Sequence, residues 1–144
     1  MLFSLFLFIV RVAPEIIKGE PCTPALDIWS LGMALLEMAN GEAPYSDLPP
    51  LKALYTIASS GSPGLKEEGQ WSDAFLDFLK CCTARDPALR STAKSLQKVV
   101  TTFSFTNSNK HPFLRMACPL QQLAPVIRKA KNIRRRLSGT EEVQ

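Results

Sequence analysis

The feature that most constrains the fold is the segment from Asp27 to Ala39, which is apolar on every side. A surface helix keeps its apolar residues on one stripe, so a segment of this kind belongs at the centre of a domain. It is too short to cross a bilayer, which requires about 20 apolar residues. The carboxylate of Asp27 can accept hydrogen bonds from the first turn, and Asn40-Gly41 is a typical helix stop. The sequence therefore predicts a buried central helix with Asp27 as its cap.

Two motifs stand together in this part of the chain. Ala13-Pro14-Glu15 comes first, and Asp27-Ile28-Trp29-Ser30-Leu31-Gly32 then opens the apolar segment. In this order they resemble the C-terminal lobe of the eukaryotic protein kinases. Stretches further along resemble the PAK family of sterile-20-like serine/threonine kinases, and these are Gly41–Tyr45, Leu51–Ala58, Arg85–Arg90 and His111–Leu114.

The resemblance implies a mainly α fold, a partial and helical protein-kinase C-lobe that lacks the N-lobe and the catalytic loop. Helical spacing of apolar residues independently predicts two amphipathic helices, one over residues 51–58 and one that Ser72 or Asp73 can cap. We interpret their apolar stripes as core, not as cofactor-binding surfaces. The predicted organisation is an apolar N-terminus outside the family fold (1–11), the lobe fragment (12–97), an insertion (98–109), the end of the lobe (110–127) and a flexible basic tail (128–144).

Kinase chemistry consists mainly of positioning and charge neutralisation. The family uses ATP and Mg²⁺, held by a Gly-rich loop, a strand lysine, an Asp-Phe-Gly motif and an asparagine, with an His-Arg-Asp motif at the reacting hydroxyl. None of these patterns occurs in the 144 residues, where the seven glycines never fall as Gly-x-Gly-x-x-Gly. We therefore expect no catalytic, cofactor-binding or metal-binding residue in this chain and an inactive, pseudokinase-like segment.

The resemblance assigns roles to four residues of this chain. It implies that Glu15 forms a lobe-stabilising ion pair with Arg90. It would place Asp27 against the backbone of a catalytic loop, but that loop is missing, so we retain only the cap role for Asp27. Glu37 matches a position that in some kinases faces a substrate arginine, and we take it as a candidate docking residue beside the alternative of a satisfied acid near a helix end.

Two stretches depart from the family pattern. Residues 1–10 are apolar except for Ser4, too short for a membrane span and without the flanks of a secretory signal, so we expect them to lie outside the fold. Residues 98–109 are β-branched and aromatic first and rich in Asn and Ser afterwards, which indicates a strand or loop. His111, the only histidine, has no evident ligand set in the sequence and is predicted to be structural.

All of the formal charge of +4 comes from the run Arg128–Arg136, whose six basic residues leave eleven basic and thirteen acidic residues elsewhere. Such a run is most often a solvated tail, although it can also contact an anionic membrane surface. No aromatic residue interrupts it, which argues against nucleic acid. Arg135-Arg136-Leu137-Ser138 is a pattern that basophilic kinases accept, so Ser138 is a candidate phosphorylation site.

Four cysteines, without a Cys-x-x-Cys pair, indicate reduced thiols in a cytoplasmic protein. Three hypotheses follow for the function. The chain is a catalytically inactive kinase lobe that binds protein partners or substrates, or it is one part of a longer active serine/threonine kinase. The third hypothesis is a membrane-associated basic module that uses both ends of the chain.

Overall fold

The computed structural model describes residues 10–98 and 111–138, without the side chains of Lys98 and of residues 136–138. This part of the chain is helical and contains no strand. The α-helices are α1 (Pro14–Ile17), α2 (Ala25–Asn40), α3 (Pro50–Ser60), α4 (Asp73–Thr83), α5 (Ala93–Lys98), α6 (Pro112–Arg115) and α7 (Leu123–Ser138), with 3₁₀ turns at Glu68–Gln70 and Leu120–Gln122. The predicted mainly α fold is confirmed.

Helix α2 is the central element, but it is not buried on every side. Trp29 and Met33 are fully buried, whereas Leu31 and Met38 are exposed to 44% and 72%. The helix ends at Gly41, whose φ of 73° is the left-handed conformation that glycine adopts without strain. The apolar composition thus predicted the helix correctly, and Asn40-Gly41 predicted its end. Other elements pack against only one side of α2, so its other side is exposed to solvent.

The start of α2 differs from the expectation. The helix begins at Ala25 with Pro24 at the N-cap position, and no side chain caps it. Asp27 therefore lies inside the first turn and is not the N-cap residue. A carboxylate in this position still faces the positive end of the helix dipole, which is favourable by about 0.3–1 kcal/mol at an exposed site.

Helix α4 packs against α2 and supplies the other half of the core. It begins after Ser72, whose side chain accepts a hydrogen bond from the Phe75 N–H at 3.3 Å. The two helices approach closely at Gly32, where an added Cβ would lie 2.5 Å from the Thr83 Cγ2 and 2.8 Å from the Cys82 Cβ. Only a residue without a side chain fits this crossing.

Two clusters of buried residues form the core, and aromatic rings join them. The ring of Phe113 lies 5.0 Å from that of Phe75, which belongs to the first cluster, and 5.1 Å from that of Phe78, which belongs to the second. Ring centroids at these separations are in favourable contact. Helix α6 thereby packs against α4, although Phe113 is 29 positions after Ala84, the C-cap residue of α4.

The chain leaves α5 and returns to the same place. At the start of α5 the Thr92 N–H donates to Ser95 Oγ at 2.9 Å, and the Ser95 N–H donates to Thr92 Oγ1 at 3.0 Å. Further along the chain the His111 N–H donates to the carbonyl of Leu96 at 2.9 Å. The predicted insertion starts at Lys98, and its remaining residues, 99–109, lie outside the described residues, as do residues 1–9 of the predicted apolar N-terminus.

The basic tail is the element whose structure differs most from the expectation. Residues 123–138 form the regular helix α7, where a flexible segment was predicted from residue 128 onward. Charge clustering suggested a solvated tail, but the run also contains good helix formers, since arginine, lysine and alanine all rank high in helix propensity. Residues 139–144 lie outside the described residues.

Candidate functional site

Glu15 and Arg90 form a buried ion pair that links α1 to the loop after α4. Glu15 lies in α1 directly after Pro14, and Arg90 lies in the loop between α4 and α5. The Arg90 Nη1 donates to Glu15 Oε1 at 2.6 Å, and Nη2 donates to Oε2 at 3.0 Å. The side chains are exposed to only 1% and 0%. Two parallel charge-assisted hydrogen bonds of this kind fix direction as well as distance.

The remaining donors of Arg90 bind backbone carbonyls around the pair. Its Nε donates to the Ala84 carbonyl at 3.0 Å, at the end of α4, and Nη1 donates to the Ala25 carbonyl at 2.7 Å, at the start of α2. The guanidinium also stands over the Trp29 ring, 5.2 Å from its centroid. A planar guanidinium can satisfy all these partners at once, which an ammonium group cannot. Arg90 therefore joins α1, α2 and α4 at one point.

Burial and hydrogen bonding act on Glu15 in opposite directions. Desolvation raises the pKa of the carboxyl, whereas hydrogen bonds from Arg90 and from the backbone, together with the charges of Arg90 and Lys18, lower it. The net result is a pKa below its ordinary value of 4.5. The ionised form is favoured because its partner is buried with it.

Glu37, the candidate docking residue, already has a partner within the chain. Its Oε2 accepts a hydrogen bond from Arg11 Nη2 at 2.9 Å, and the two side chains are exposed to 22% and 42%. Arg11 lies just before α1, and no sequence pattern connects this position with α2. Arg11 therefore binds the Glu37 carboxylate, which by the family resemblance would face a substrate arginine.

Asp27 and Ser138, the other two residues singled out by the sequence, lie apart from this group. Asp27 is exposed, and its side chain has no hydrogen bond or ion pair among the described residues. Ser138 ends α7, and its side chain lies outside the described residues. Among the residues singled out in the sequence, the structure pairs Glu15 with Arg90 and gives Glu37 the partner Arg11.

A cluster that the sequence did not reveal lies where α4 meets α6. Ligand atoms of Asp77, Cys81 and His111 all lie within 4.8 Å of one another. The Phe113 N–H donates to His111 Nδ1 at 3.2 Å, so Nδ1 must accept, and Nε2 carries the proton that it shares with Asp77 Oδ2 at 3.1 Å. A metal ion on Nε2 would move that proton to Nδ1, against the Phe113 N–H. The hydrogen bonding therefore favours a structural histidine cap.

The sequence spacing of Asp77 and Cys81 indicates part of this cluster. Asp77 and Cys81 are four residues apart on one helix and so share a face, but His111 is brought to them only by the return of the chain after α5. Cys82, the neighbour of Cys81, is fully buried, and burial together with the charge of Cys81 raises its pKa to about 12. At neutral pH the Cys82 thiol is thus protonated and poorly nucleophilic.

The cluster of Asp77, Cys81 and His111 does not suit Mg²⁺, which the kinase family uses together with ATP. Mg²⁺ prefers an octahedron of oxygen ligands and the phosphates of the nucleotide. The cluster of Asp77, Cys81 and His111 offers only one carboxylate together with sulfur and nitrogen ligands, which favour other metals. No step of phosphoryl transfer can be assigned to these residues.

Comparison with known proteins places this arrangement in a family. The protein kinase domain family model matches residues 10–134. The chain is 42% identical over 120 residues to the serine/threonine-protein kinase pakB of Dictyostelium discoideum, covering 83% of this chain and 13% of that protein. It is 40% identical over 120 residues to the serine/threonine-protein kinase PAK 1 of Mus musculus, covering 83% of this chain and 20% of that protein.

These relatives are much longer than the chain. Its matches span between 13% of pakB and 23% of the serine/threonine-protein kinase pakC of Dictyostelium discoideum, to which it is 41% identical over 122 residues. The matched stretch includes both ion pairs and the core helices described above. By motif order, helical fold and identity to these relatives, the chain belongs to the protein kinase domain family and is similar to its PAK-like serine/threonine kinases.

Proposed function

We propose that these residues act as the protein-binding part of a PAK-like kinase C-lobe and do not transfer phosphate by themselves. The observation that carries the proposal is the solvent face of α3. This helix buries Ala53 and Ile57 on one side and leaves Leu51 and Tyr55 exposed to 80% and 74% on the other. Neighbouring apolar side chains exposed on an ordered helix are typical of protein-binding surfaces.

The buried pair of Glu15 and Arg90 supports the same proposal. It provides a rigid connection among helices, and the phosphate-binding motifs of the family do not occur in the sequence. A binding surface needs such a scaffold, whereas catalysis needs the phosphate-binding parts as well. A cytoplasmic location, where the four free thiols remain reduced, belongs to the same proposal.

Glu37 is a second, polar element of the proposed function and favours basic peptides. The carboxylate is partly exposed, and Arg11 holds it at 2.9 Å. A substrate or partner arginine would have to displace Arg11, so Arg11 acts as an internal competitor. Charge-assisted hydrogen bonds at partly exposed sites are strong enough to orient a peptide but weak enough to exchange.

The first experiment measures nucleotide binding by the purified chain. Titration with a fluorescent ATP analogue in the presence of Mg²⁺ should give no saturable signal. Saturable, Mg²⁺-dependent binding would overturn the assignment as a segment without catalytic function. A basic protein substrate incubated with ATP and the chain provides the corresponding activity measurement, and phosphate incorporation above the level of a chain-free control would have the same consequence.

The second experiment measures peptide binding. A labelled peptide with the sequence of residues 128–140 serves as the arginine-rich probe, and fluorescence anisotropy gives its Kd. Arg11→Ala should tighten binding about threefold or more by freeing the carboxylate, and Glu37→Gln should weaken it by a similar factor. Glu42→Gln is the matched control, because Glu42 is an exposed acid paired with Lys66. Equal affinities for all four proteins would contradict the docking role of Glu37.

The alternative is that the chain is one part of a longer, active serine/threonine kinase. The observation in its favour is that the match spans only 13–23% of the relatives. An antibody against residues 128–144 would measure the mass of the endogenous protein in cell extracts. A band several times larger than 15.9 kDa supports this alternative, and a band at 15.9 kDa contradicts it.

A further inference from the structure

Helix α7 carries a line of apolar residues that nothing in the described structure covers. Val126, Ile127 and Ile133 are exposed to 62%, 51% and 49%, and Leu123 to 44%. At 100° per residue these positions, together with Ala130, fall on one side of the helix. The helix packs chiefly against the adjacent 3₁₀ turn Leu120–Gln122 and not against the core. The apolar line is therefore accessible to solvent in the described structure.

Basic residues border this line on both sides. Helical geometry places Lys131, Arg135 and Arg128 along one border and Lys129 with Arg136 along the other. Arg134 falls on the line itself, between the projected positions of Leu123 and Ile127. Residues 111–138 contain seven arginine or lysine residues and no aspartate or glutamate. The whole end of the described chain thus presents one sign of charge.

The combination is that of a helix that lies in a membrane surface. We propose that α7 binds the surface of an anionic lipid bilayer with its apolar line inserted and its basic borders at the headgroups. A large apolar–polar asymmetry, low overall hydrophobicity and basic residues on the polar face are the features of such interfacial helices. None of the described helices is long and apolar enough to cross a membrane, so the contact is with the surface.

A lipid surface accounts for these features better than a protein groove does. Helix-binding grooves take a few large anchor residues at spaced positions. Here the exposed residues are medium-sized and aliphatic and extend over about 15 Å, from Leu123 to Ile133, at 1.5 Å per residue. Basic side chains on both borders can extend their charged ends to lipid phosphates while their stems stay apolar. An acidic protein would need complementary charges on two sides of one groove.

The experiment is sedimentation of the full chain with lipid vesicles. Vesicles of neutral phosphatidylcholine are compared with vesicles that also contain phosphatidylserine, at low and at raised salt. We expect binding to the anionic vesicles only, weakened as salt rises, since exposed charges are screened over about 10 Å at 0.1 M. Equal binding to both vesicle types, or none to either, would overturn the proposal.

Two pairs of variants separate α7 from the rest of the chain. Ile133→Asp should weaken partitioning about tenfold or more, whereas Leu89→Asp introduces an aspartate at an exposed leucine of the loop between α4 and α5 and should leave partitioning unaltered. The double variant K129E/K131E should also lose about tenfold or more. Its control, K52E/K94E, changes the net charge by the same amount outside α7. Equal losses in a variant and its control would assign the binding to net charge or to another segment.

A protein partner would give a different pattern. Calmodulin with Ca²⁺ is a suitable acidic probe, because it binds basic amphipathic helices through their apolar face. If the full chain binds this probe with micromolar or better affinity and fails to sediment with anionic vesicles, α7 is a protein-binding helix and the lipid proposal is wrong. Vesicle binding that depends on Ile133 and on Lys129 with Lys131 supports the proposal whether or not the peptide docking at Glu37 exists.

Discussion

Glu15 and Arg90 are 75 positions apart in the chain, yet their side chains meet in a two-point ion pair that excludes solvent. The pair connects the helix that begins at Pro14 to the loop that follows α4, and the same guanidinium donates to the carbonyls of Ala25 and Ala84. A single side chain thus sets the relative positions of three helices. Its removal should affect the whole lobe and not one local contact.

Glu15→Ala should lower the free energy of unfolding by about 3–5 kcal/mol, because it leaves the Arg90 charge buried without a partner. Arg90→Lys keeps the charge but cannot form two parallel bonds, so an intermediate loss is expected. Urea unfolding followed by circular dichroism measures both. The control is Glu42→Ala, which removes an exposed pair with Lys66 and should cost at most about 1 kcal/mol. Similar losses for Glu15→Ala and Glu42→Ala would contradict this account.

Acid should reduce the contribution of the Glu15–Arg90 pair to the stability of the folded protein. The pKa of Glu15 is lowered below 4.5 in the folded protein, so the folded state binds this proton less readily than the unfolded state does. The contribution of Glu15 is therefore fully present above about pH 4.5 and is lost as pH falls through the lower, folded-state pKa. Urea midpoints of the wild type and Glu15→Gln, measured from pH 7 to pH 3, should converge in the acidic range. Parallel curves would show that Glu15 does not contribute in this way.

Gly32 provides a test of how closely α2 and α4 must approach. A Cβ at this position would lie 2.5 Å from the Thr83 Cγ2 and 2.8 Å from the Cys82 Cβ, closer than such atoms can stand. Gly32→Ala should therefore cost about 1–3 kcal/mol of unfolding free energy, despite the higher helix propensity of alanine. Gly69→Ala is the control, since no atom lies within 4 Å of its added Cβ. A stabilised Gly32→Ala protein would show that the helices can separate without loss.

The sequence predicted the helical elements better than it predicted their surroundings. Apolar periodicity identified the helices now seen as α3 and α4, and Gly41 identified the end of α2, because these signals depend on neighbouring residues. The predicted start of α2 was wrong, because an aspartate near a helix start has the features of a cap whether or not it occupies the N-cap position. Contacts between distant segments, such as Arg11 with Glu37, have no local signature and required the folded chain.

The same distinction explains the remaining differences. The Asp77, Cys81 and His111 cluster forms only because the chain returns to Leu96 after residue 110, which no local pattern indicates. The charge of the basic run predicts only a solvated tail, because it leaves out the apolar residues that precede the run, Leu123, Val126 and Ile127. Including them gives the helical periodicity of α7. A window that spans both kinds of residue would have predicted the amphipathic helix.

The cysteines should differ sharply in reactivity. Cys22 and Cys118 are exposed, whereas Cys82 is fully buried with its pKa raised to about 12, so little thiolate is present at Cys82 near neutral pH. Iodoacetamide at pH 8 followed by peptide mass spectrometry should label the two exposed residues first. In denaturant all four should react at similar rates. Rapid labelling of Cys82 in the native protein would contradict its position in the core.

Phosphorylation of Ser138 should weaken the proposed contact of α7 with anionic lipid. A phosphate adds about −1.5 to −2 charges at the end of a helix whose six basic residues supply the attraction. It also stands at the negative end of the helix dipole, where a further anion is unfavourable. Partitioning onto phosphatidylserine vesicles should fall several-fold after treatment with a basophilic kinase and ATP, and phosphatase should restore it. Ser138→Ala, treated identically, should bind as the untreated wild type does, and a loss in this variant would assign the effect to another site.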